Sequence, residues 1–167
     1  RNGVALAVGS NFTQQDIDFN ALWYTHDGSE SISDMLAFTV SDGSGGNIAA
    51  TPFVFDIAPV NDVPIIISNG GGVSAALTVT ENAVAVTTVA ANDADLPASA
   101  LSYAIAGGAD AASFALNGAT GVLSFVTAPN YEAPLDVNSD NMYEVVVQVD
   151  DGNGGTATQA LYVSIAN

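Results

Sequence analysis

Apolar and polar residues alternate along several short stretches of the chain. In residues 143–149 every second position is apolar, and two other stretches follow the same rule. Because successive side chains of a strand point to opposite faces, this alternation predicts strands with one buried face. The apolar positions that share a face are Tyr143, Val145, Val147 and Val149, then Leu161, Val163 and Ile165, and earlier in the chain Phe53, Phe55 and Ile57.

Turn-forming residues separate these stretches at short intervals, as in residues 69–72 (NGGG) and 117–118 (NG). Such clusters are typical of chain reversals between strands. No stretch keeps a long apolar period of 3.6 residues. The clearest helical signal is Thr13-Gln14-Gln15-Asp16, a capping box that predicts one short helical turn. The sequence therefore predicts an all-β fold.

An internal repeat organises the chain. Residues 38–46 (FTVSDGSGG) match residues 147–155 (VQVDDGNGG), and Asp42 aligns with Asp151, so the period is 151 − 42 = 109 residues. A period of this length corresponds to one β-sandwich module of about seven strands. A further strand follows each copy, and these strands end at Asp56-Ile57-Ala58 and at Ser164-Ile165-Ala166.

The repeat also predicts the domain organisation. Residues 59–64 (PVNDVP) form a short connector that its two prolines make stiff. Residues 65–167 correspond to one complete module. Residues 1–58 correspond to the later part of a preceding module, because Arg1 aligns with Asp110 inside the second copy. We expect either an excised piece of a longer protein or a module whose front strands come from a neighbouring chain.

The charge of the chain is strongly one-sided. There are 18 acidic residues against a single Lys or Arg, for a formal net charge of −17. Such a surface repels phosphate groups, which excludes nucleic acid as a partner and disfavours anionic membranes. No apolar run reaches the ~20 residues of a spanning helix, so no membrane insertion is predicted. The chain has no cysteine, and therefore no disulfide, thiol or cysteine–zinc site.

Most of the acidic residues are aspartates beside glycine or asparagine. These side chains place hard oxygen ligands on turns, which is the chemistry that Ca²⁺ prefers. A second interpretation stays open, because aspartate is also common in loops as a turn former. The pattern favours calcium binding without excluding the simpler explanation.

Five short motifs follow one another along residues 65–167. They are Glu81-Asn82, Asn92-Asp93-Ala94-Asp95, the hairpin Phe114–Leu123, Asn130-Tyr131-Glu132, and Val149-Asp150-Asp151-Gly152. Together they resemble the cadherin-like repeats of bacterial surface proteins. Residues 11–18 (NFTQQDID) and 23–30 (WYTHDGSE) resemble the related chondroitin-sulfate-proteoglycan type of repeat. The resemblance implies an immunoglobulin-like, cadherin-like Greek-key β-sandwich.

The resemblance further implies that Ca²⁺ is held at the joint between consecutive modules. It assigns the ligands within this joint to Asn61, Asp62, Asp93, Asp95 and Asp151. An extended backbone at residues 93–95 would independently place both carboxylates on one side. The connector lacks the leading Asp and the second Asn of the family pattern, which implies fewer ions or weaker binding.

Two further sets of ligands are implied away from the connector. Asp27 and Glu30 would add carboxylates from the first module, by their position relative to Asp42. At the far end of the second module a half-built site would await the next connector. The residues of that half-site are Glu81, Asn130 and Glu132.

Other candidate sites have simpler explanations. His26 lies beside Asp27 and close to two serines, but a Ser/His/Asp triad is defined by geometry and these neighbours share one loop. No enzyme is therefore predicted. We expect Asp16 and Asp18 to serve helix capping, Asp136 and Asp140 to lie in a solvated loop, and Trp23 to be a core residue rather than a platform for a sugar.

The function predicted from these observations is a calcium-rigidified adhesive or structural module of a large extracellular or cell-surface protein. A bacterial adhesin with a role in biofilms fits the resemblance. The expected partners are other modules, cell-surface ligands, polysaccharide and further copies through head-to-tail self-association. Two alternatives stay open, a carbohydrate-binding module of a secreted polysaccharide-degrading protein and a filament subunit completed by strand exchange.

Overall fold

The computed structural model describes residues 4–95 and 98–167. Within these ranges the chain forms eleven strands and a single short α-helix, so the all-β prediction is confirmed. Neither described helix has the length and apolar character needed to cross a bilayer. The elements are α1 Gln14–Asp18, β1 Ser33–Ser41, β2 Asn47–Asp56, β3 Ile65–Ile66, β4 Ser74–Thr80, β5 Ala85–Thr88, β6 Ala91–Asn92, β7 Ser102–Gly107, a 3₁₀ turn Ala111–Ser113, β8 Phe114–Leu116, β9 Val122–Phe125, β10 Met142–Asp150 and β11 Thr156–Ala166.

Strands β3 to β11 form a sandwich. The larger sheet has the order β4-β11-β10-β7, and a second sheet has the order β5-β9-β8. The short strands β3 and β6 pair separately with each other. Strand β4 runs parallel to β11, while the other pairings are antiparallel. The hydrophobic core lies between the two larger sheets.

The core is built from the faces that the alternating pattern predicted. In β10 and β11, the apolar residues at alternate positions 143–149 and 161–165 are all buried. From the other sheet, Leu123 and Phe125 are buried with them, and the ring centroids of Phe125 and Tyr143 lie 5.1 Å apart. Burial of each such side chain stabilises the fold by about 1.5–3 kcal/mol. This packing makes β10 and β11 a firm base for the loops at their ends.

The hairpin β1–β2 repeats the hairpin β10–β11. Strand β1 occupies the positions that lie 109 residues before β10, and the pairing of Val40 with Ile48 matches that of Val149 with Ala157. A β-bulge between Phe38 and Val40 then inserts one residue into β2. The bulge explains why the ends of the two second strands align at 164 − 56 = 108 residues instead of 109.

The turns of these two hairpins have the same backbone. In each turn the Oδ1 atom of the aspartate, Asp42 or Asp151, accepts hydrogen bonds from the N–H groups two and four residues later, at 2.7 and 2.9 Å. Glycine follows each aspartate with a left-handed φ, +73° at Gly43 and +77° at Gly152. Glycine adopts such angles without steric cost. The repeated motif is therefore a tight turn that fixes one aspartate.

The first hairpin lacks the cover that the second one has. Phe53 and Leu161 hold the same place in the repeat, since 53 + 108 = 161, but Phe53 is 51% exposed and Leu161 is 0% exposed. Among the described residues, β1 and β2 form a sheet of two strands only. The apolar face that the sequence predicted for β2 is thus present but largely open.

The segment before β1 covers this face only in part. The ring of Phe12 lies 6.3 Å from that of Phe38, and Tyr24 stacks on Phe55 at 4.2 Å. Trp23 is 58% exposed, so the prediction of a core tryptophan is wrong. The physical reason is that the two-stranded sheet offers Trp23 no second layer to pack between.

Helix α1 begins at the predicted capping box. Asp16 N–H donates to Thr13 Oγ1 at 3.3 Å, and Thr13 N–H donates in return to Asp16 Oδ2 at 2.8 Å. Asp16 is buried by this arrangement. The expected capping role of Asp16 is therefore confirmed.

Candidate metal centre

The connector is fastened to two loops of the second module. Asn61 Nδ2 donates to Asp151 Oδ2 at 2.8 Å, and Asp62 N–H donates to Asp95 Oδ1 at 3.2 Å. Pro64, at the end of the connector, is fully buried. These contacts bring together residues that lie 33 to 90 positions apart in sequence.

Two groups of three carboxylates form where the connector meets these loops. The first group is Glu30, Asp62 and Asp95, and the second is Asp93, Asp95 and Asp151. Within each group, one carboxylate oxygen from each residue lies within 4.8 Å of the others. Like charges at this spacing repel one another unless a cation or a proton lies between them. Carboxylate oxygens in such a cluster suit Ca²⁺, a hard cation.

Asp93 provides an independent sign that a ligand belongs here. Its Oδ1 atom accepts a hydrogen bond from Asp95 N–H at 2.9 Å. Its Oδ2 atom is buried, and no hydrogen-bond partner for it exists in the described part of the chain. A buried carboxylate oxygen without a partner is costly, so the residues present fit a cation.

The pKa values at the joint move in opposite directions. The side chain of Asn61 and the N–H groups of the turn lower the pKa of Asp151 below its ordinary value of 3.8. At Asp95 the hydrogen bond from Asp62 N–H also acts to lower the pKa. It is outweighed by desolvation and by the nearby carboxylates of Asp93 and Asp62, so the pKa of Asp95 is raised. The surroundings therefore stabilise the charged carboxylate of Asp151 and destabilise that of Asp95.

Gly155 allows the connector to lie close to the turn that follows β10. The sequence pattern did not predict this role. A Cβ atom at this position would overlap Asp151 Oδ2 and lie 2.9 Å from the carbonyl oxygen of Asp62. Only a residue without a side chain permits this contact. The signal in the sequence was the repeated Gly-Gly pair that ends each turn, at 45–46 and 154–155.

The structure places the two candidates from the first module differently. Glu30 joins Asp62 and Asp95, beside a cavity of about 290 Å³ between its own loop and the connector. Asp27 is exposed, its Oδ1 accepts from Ser29 N–H at 2.9 Å, and it belongs to neither carboxylate group found among the described residues. The assignment of Asp27 as a ligand stays a prediction.

The three candidates at the far end of the second module also lie near one another. Glu81 Oε2 accepts from Tyr131 N–H at 3.1 Å, Asn130 Oδ1 accepts from Glu132 N–H at 2.9 Å, and Glu132 Oε1 accepts from Asn167 Nδ2 at 3.0 Å. Over residues 4–95 and 98–167, no group of three acidic side chains forms at this end. A half-site here stays a prediction.

His26 does not form a catalytic arrangement with its neighbours. Its Nε2 atom lies 3.0 Å from Ser31 Oγ and 3.6 Å from Asp27 Oδ1. In a triad the serine and the aspartate contact opposite nitrogens of the ring. Here both face the same nitrogen, so the arrangement supports a turn and not a nucleophile.

Asp136 differs from the expected solvated loop residue. It is 4% exposed, and its carboxylate accepts from the N–H groups of Asp140 at 2.8 Å and Asn141 at 3.3 Å. The expectation of a solvated aspartate was wrong at this position, because the loop folds back over its own side chain. Asp136 holds the loop together and lies outside the joint.

Two family models match the chain. The model described as Cadherin-like matches residues 2–58, and the model described as Cadherin domain matches residues 76–166. The cadherin-like character of both parts is thereby confirmed. Neither match includes the connector or strand β3, the first strand of the second module.

Curated relatives are animal proteins. The chain is 42% identical to the human extracellular matrix organizing protein FRAS1, over 42% of this chain and 2% of that protein. It is 35% identical to the extracellular matrix protein 3 of Lytechinus variegatus, over 42% of this chain and 3% of that protein. These relatives give no support to a bacterial source, a biofilm role or a specific chondroitin-sulfate-proteoglycan likeness. The chain spans only a few per cent of the length of the curated relatives that it matches.

Solved structures share the fold. A protocadherin gammaB7 EC3-6 cis-dimer has a TM-score of 0.64 at 19% identity, covering 82% of this chain and 34% of that one. Mouse clustered PcdhgC3 EC1-3 has a TM-score of 0.63 at 23% identity, covering 87% of this chain and 47% of that one. Human CDH23 EC21-23 has a TM-score of 0.63 at 17% identity, with 81% and 47% covered. The predicted cadherin-like sandwich is confirmed.

Proposed function

Because the chain belongs to the cadherin domain family, we propose that it is an adhesive and structural segment of an extracellular repeat protein whose joint is stiffened by Ca²⁺. The observation that carries the proposal is the pair of carboxylate groups that share Asp95. One group draws a residue from each part of the chain, with Glu30 before the connector, Asp62 within it and Asp95 after it. A ligand held by all three parts restrains their relative positions.

The donor set supports calcium in particular. Every member of both groups offers a carboxylate oxygen, and the connector adds the carbonyl oxygen of Asp62 close to Asp151. Ca²⁺ takes about six to eight oxygen ligands, more than one loop can supply. The buried Oδ2 atom of Asp93 adds a ligand oxygen that has no hydrogen-bond partner among the described residues. The chain has one His and no Cys, so the softer ligands of transition metals are nearly absent.

The charges of the carboxylates explain how a cation would stiffen the joint. Without a cation, the carboxylates of Glu30, Asp62 and Asp95 repel one another, and the connector is held chiefly by the hydrogen bonds of Asn61 and Asp62. A bound divalent cation supplies the positive charge that removes this repulsion. The same oxygens then hold the loop of Glu30, the connector and the loop of Asp95 together. Extracellular calcium modules bind at about 10⁻⁴–10⁻³ M, so the joint would respond to external calcium.

The proposed setting is the extracellular matrix or the cell surface. The curated relatives carry the names of extracellular matrix proteins. Repeats of this kind would place further modules before and after the segment, with matrix or cell-surface ligands as adhesive partners. The role proposed is structural and adhesive, and no step of catalysis is assigned to any residue.

Calcium titration with a chelator control tests the proposal. We expect Ca²⁺ to raise the melting temperature of the chain and to narrow the distribution of its length in small-angle X-ray scattering. The double variant Asp93→Ala/Asp95→Ala should lose the response, with the same melting temperature and length distribution in calcium as in chelator. Asp18→Asn removes an exposed acid on α1, far from these groups in sequence, and should respond to calcium normally. If calcium changes neither melting nor length in the unaltered chain, the proposal fails.

A further inference from the structure

Four Asn-Gly pairs occur along the chain, at residues 2–3, 69–70, 117–118 and 153–154. Asparagine followed by glycine is chemically labile, because the backbone nitrogen of the glycine can attack the side-chain amide and no Cβ atom hinders the attack. The first pair lies outside the described residues. The other three pairs differ in how firmly the fold holds the asparagine.

The side chain of Asn69 is held at both ends. Its Nδ2 atom donates to Gln159 Oε1 at 3.2 Å, and its Oδ1 atom accepts from Thr87 Oγ1 at 2.9 Å. Gln159 is fully buried, so this network is anchored inside the second module. Attack by the nitrogen of Gly70 would require the amide of Asn69 to leave both partners, which opposes the reaction.

Asn117 is fixed by the turn of the hairpin β8–β9. Its Oδ1 atom accepts from the N–H groups of Ala119 and Thr120, each at 3.0 Å. The carbonyl oxygen of Gly118 accepts from the N–H of Tyr103 at 2.9 Å. The side chain of Asn117 and the glycine that follows it are therefore both restrained, and an attack on the amide would break these bonds as well.

The side chain of Asn153 is held much more weakly. Asn153 is exposed, and its one side-chain hydrogen bond within the described ranges joins Nδ2 to Ser99 Oγ at 3.5 Å. Protein hydrogen bonds are usually about 2.7–3.2 Å long, so this one is weak. Gly154 is also exposed, and a Cβ atom at its position would meet no atom within 4 Å. The amide of Asn153 is thus the least restrained of the three.

We propose that Asn153 deamidates spontaneously in the folded protein and that this change loosens the turn that fixes Asp151. In the reaction the nitrogen of Gly154 bonds to Cγ of Asn153, the bond from Cγ to Nδ2 breaks, and ammonia leaves with the proton of the Gly154 N–H. Water then opens the resulting ring at either of its two carbonyl carbons. One opening yields aspartate. The other yields isoaspartate, in which the main chain runs through Cβ and Cγ of residue 153 and is longer.

The position of Asn153 connects this reaction to the joint. Asp151 Oδ1 accepts from Asn153 N–H at 2.7 Å and from Gly155 N–H at 2.9 Å. The bond that isoaspartate alters lies between these two donors, so the longer main chain displaces one of them. Either product also adds a negative charge to a turn that lies beside the carboxylates of Asp93 and Asp95. The effect on calcium rests on the proposed function, whereas the reaction itself does not.

Peptide mapping by mass spectrometry tests the site. The folded chain in chelator and the same chain in urea are incubated at mildly alkaline pH, and the described pairs are compared. In urea all three asparagines should convert, since no fold restrains them. In the folded chain Asn69 and Asn117 should be slowed about tenfold or more relative to urea, because hydrogen bonds must break first, and Asn153 should be slowed far less. Conversion of Asn69 or Asn117 as fast as that of Asn153 in the folded chain overturns the proposal, as does an Asn153 that stays an amide.

The variant Asn153→Gln tests the consequence, because it keeps an amide but forms the ring much less readily. Each chain is aged in the folded state and compared with its own fresh sample. Ageing should lower the melting temperature of the unaltered chain in chelator and raise its calcium dissociation constant about tenfold, as the loss of a hydrogen-bond partner of a ligand does. Asn153→Gln aged in parallel should change in neither measurement.

The outcomes of these measurements are separable. An unaltered chain that has converted at Asn153 and keeps both its melting temperature and its calcium affinity shows that the turn is not loosened, which overturns that part of the proposal. An equal change in aged Asn153→Gln overturns it too, because the cause then lies elsewhere. A fresh chain that binds no calcium contradicts the proposed function, while peptide mapping and the melting comparison in chelator still decide the fate of Asn153.

Discussion

Asn61 Nδ2 donates a 2.8 Å hydrogen bond to Asp151 Oδ2 across 90 residues of sequence. It joins the connector to the turn that follows β10, a strand whose inward side chains are fully buried. The connector thus takes its position from the best packed part of the sandwich. The direction of the bond also matters, because Asn61 uses its nitrogen to hold a carboxylate in its charged form.

The first prediction concerns proton binding at the joint in chelator. Asp95 should titrate above the ordinary value of 3.8, and Asp151 below it, because the pKa of Asp95 is raised and that of Asp151 is lowered. Asn61→Ala should move the midpoint of Asp151 upward, since the bond from Asn61 is the main cause of its low pKa. Carboxyl-detected NMR titration measures these midpoints. The opposite order of titration would contradict the geometry of the joint.

The sign of the pH effect on stability follows from the same shifts. Asp151 has a lowered pKa on folding, so its contribution is present above 3.8 and is lost as the pH falls through its folded value. Asp95 has a raised pKa, so its repulsion destabilises the apo joint at neutral pH and is relieved as the pH falls through its folded value. In chelator, mild acid should therefore raise the stability of the joint by protonating Asp95. Stronger acid should then lower it by protonating Asp151.

The second prediction uses Asp95→Asn, which keeps the shape of the side chain and removes the charge shared by both carboxylate groups. In chelator this variant should melt at a higher temperature than the unaltered chain, because the repulsion from Asp93 and Asp62 is gone. In calcium the order should reverse, with affinity lowered about tenfold or more. Calorimetric titration and thermal melts in both buffers measure the two effects. The same direction of change in both buffers would show that Asp95 is not a calcium ligand.

The alternation of apolar residues was sufficient to predict the strands and inward faces of β10 and β11, because these depend on local spacing. The acids of the joint were predictable as motifs, and five of them do come together. The donor role of the Asn61 nitrogen and the need for Gly155 were not predictable. Both depend on the connector lying close to a turn 90 residues away in sequence. The pattern of residues along the chain does not show which distant segments come into contact.

The burial of Asp136 and the exposure of Trp23 were missed for a related reason. A polar loop that folds over its own carboxylate has the same composition as one that lies in water. An apolar residue has the same pattern whether or not a second sheet covers it. In both cases the outcome depends on what lies above the side chain, which residue type alone does not determine.

The third prediction concerns Gly155. Gly155→Ala would place a methyl group against Asp151 Oδ2 and the carbonyl oxygen of Asp62, so the turn or the connector must shift. We expect a loss of about 1–3 kcal/mol in the free energy of unfolding, as for an overpacked site, together with weaker calcium binding. Gly107→Ala adds the same methyl group where no atom lies within 4 Å and serves as the matched control. Equal effects of the two substitutions would show that the contact at Gly155 is unimportant.

The fourth prediction compares Phe53 with Leu161, which hold the same place in the repeat. Leu161 is 0% exposed, so Leu161→Ala should lower the free energy of unfolding of the second module by about 2–5 kcal/mol. Phe53 is 51% exposed, so Phe53→Ala should cost at most about 1 kcal/mol although it removes a larger side chain. Denaturant unfolding of each variant measures the difference. A cost for Phe53→Ala as large as that for Leu161→Ala would mean that the first hairpin is covered in solution.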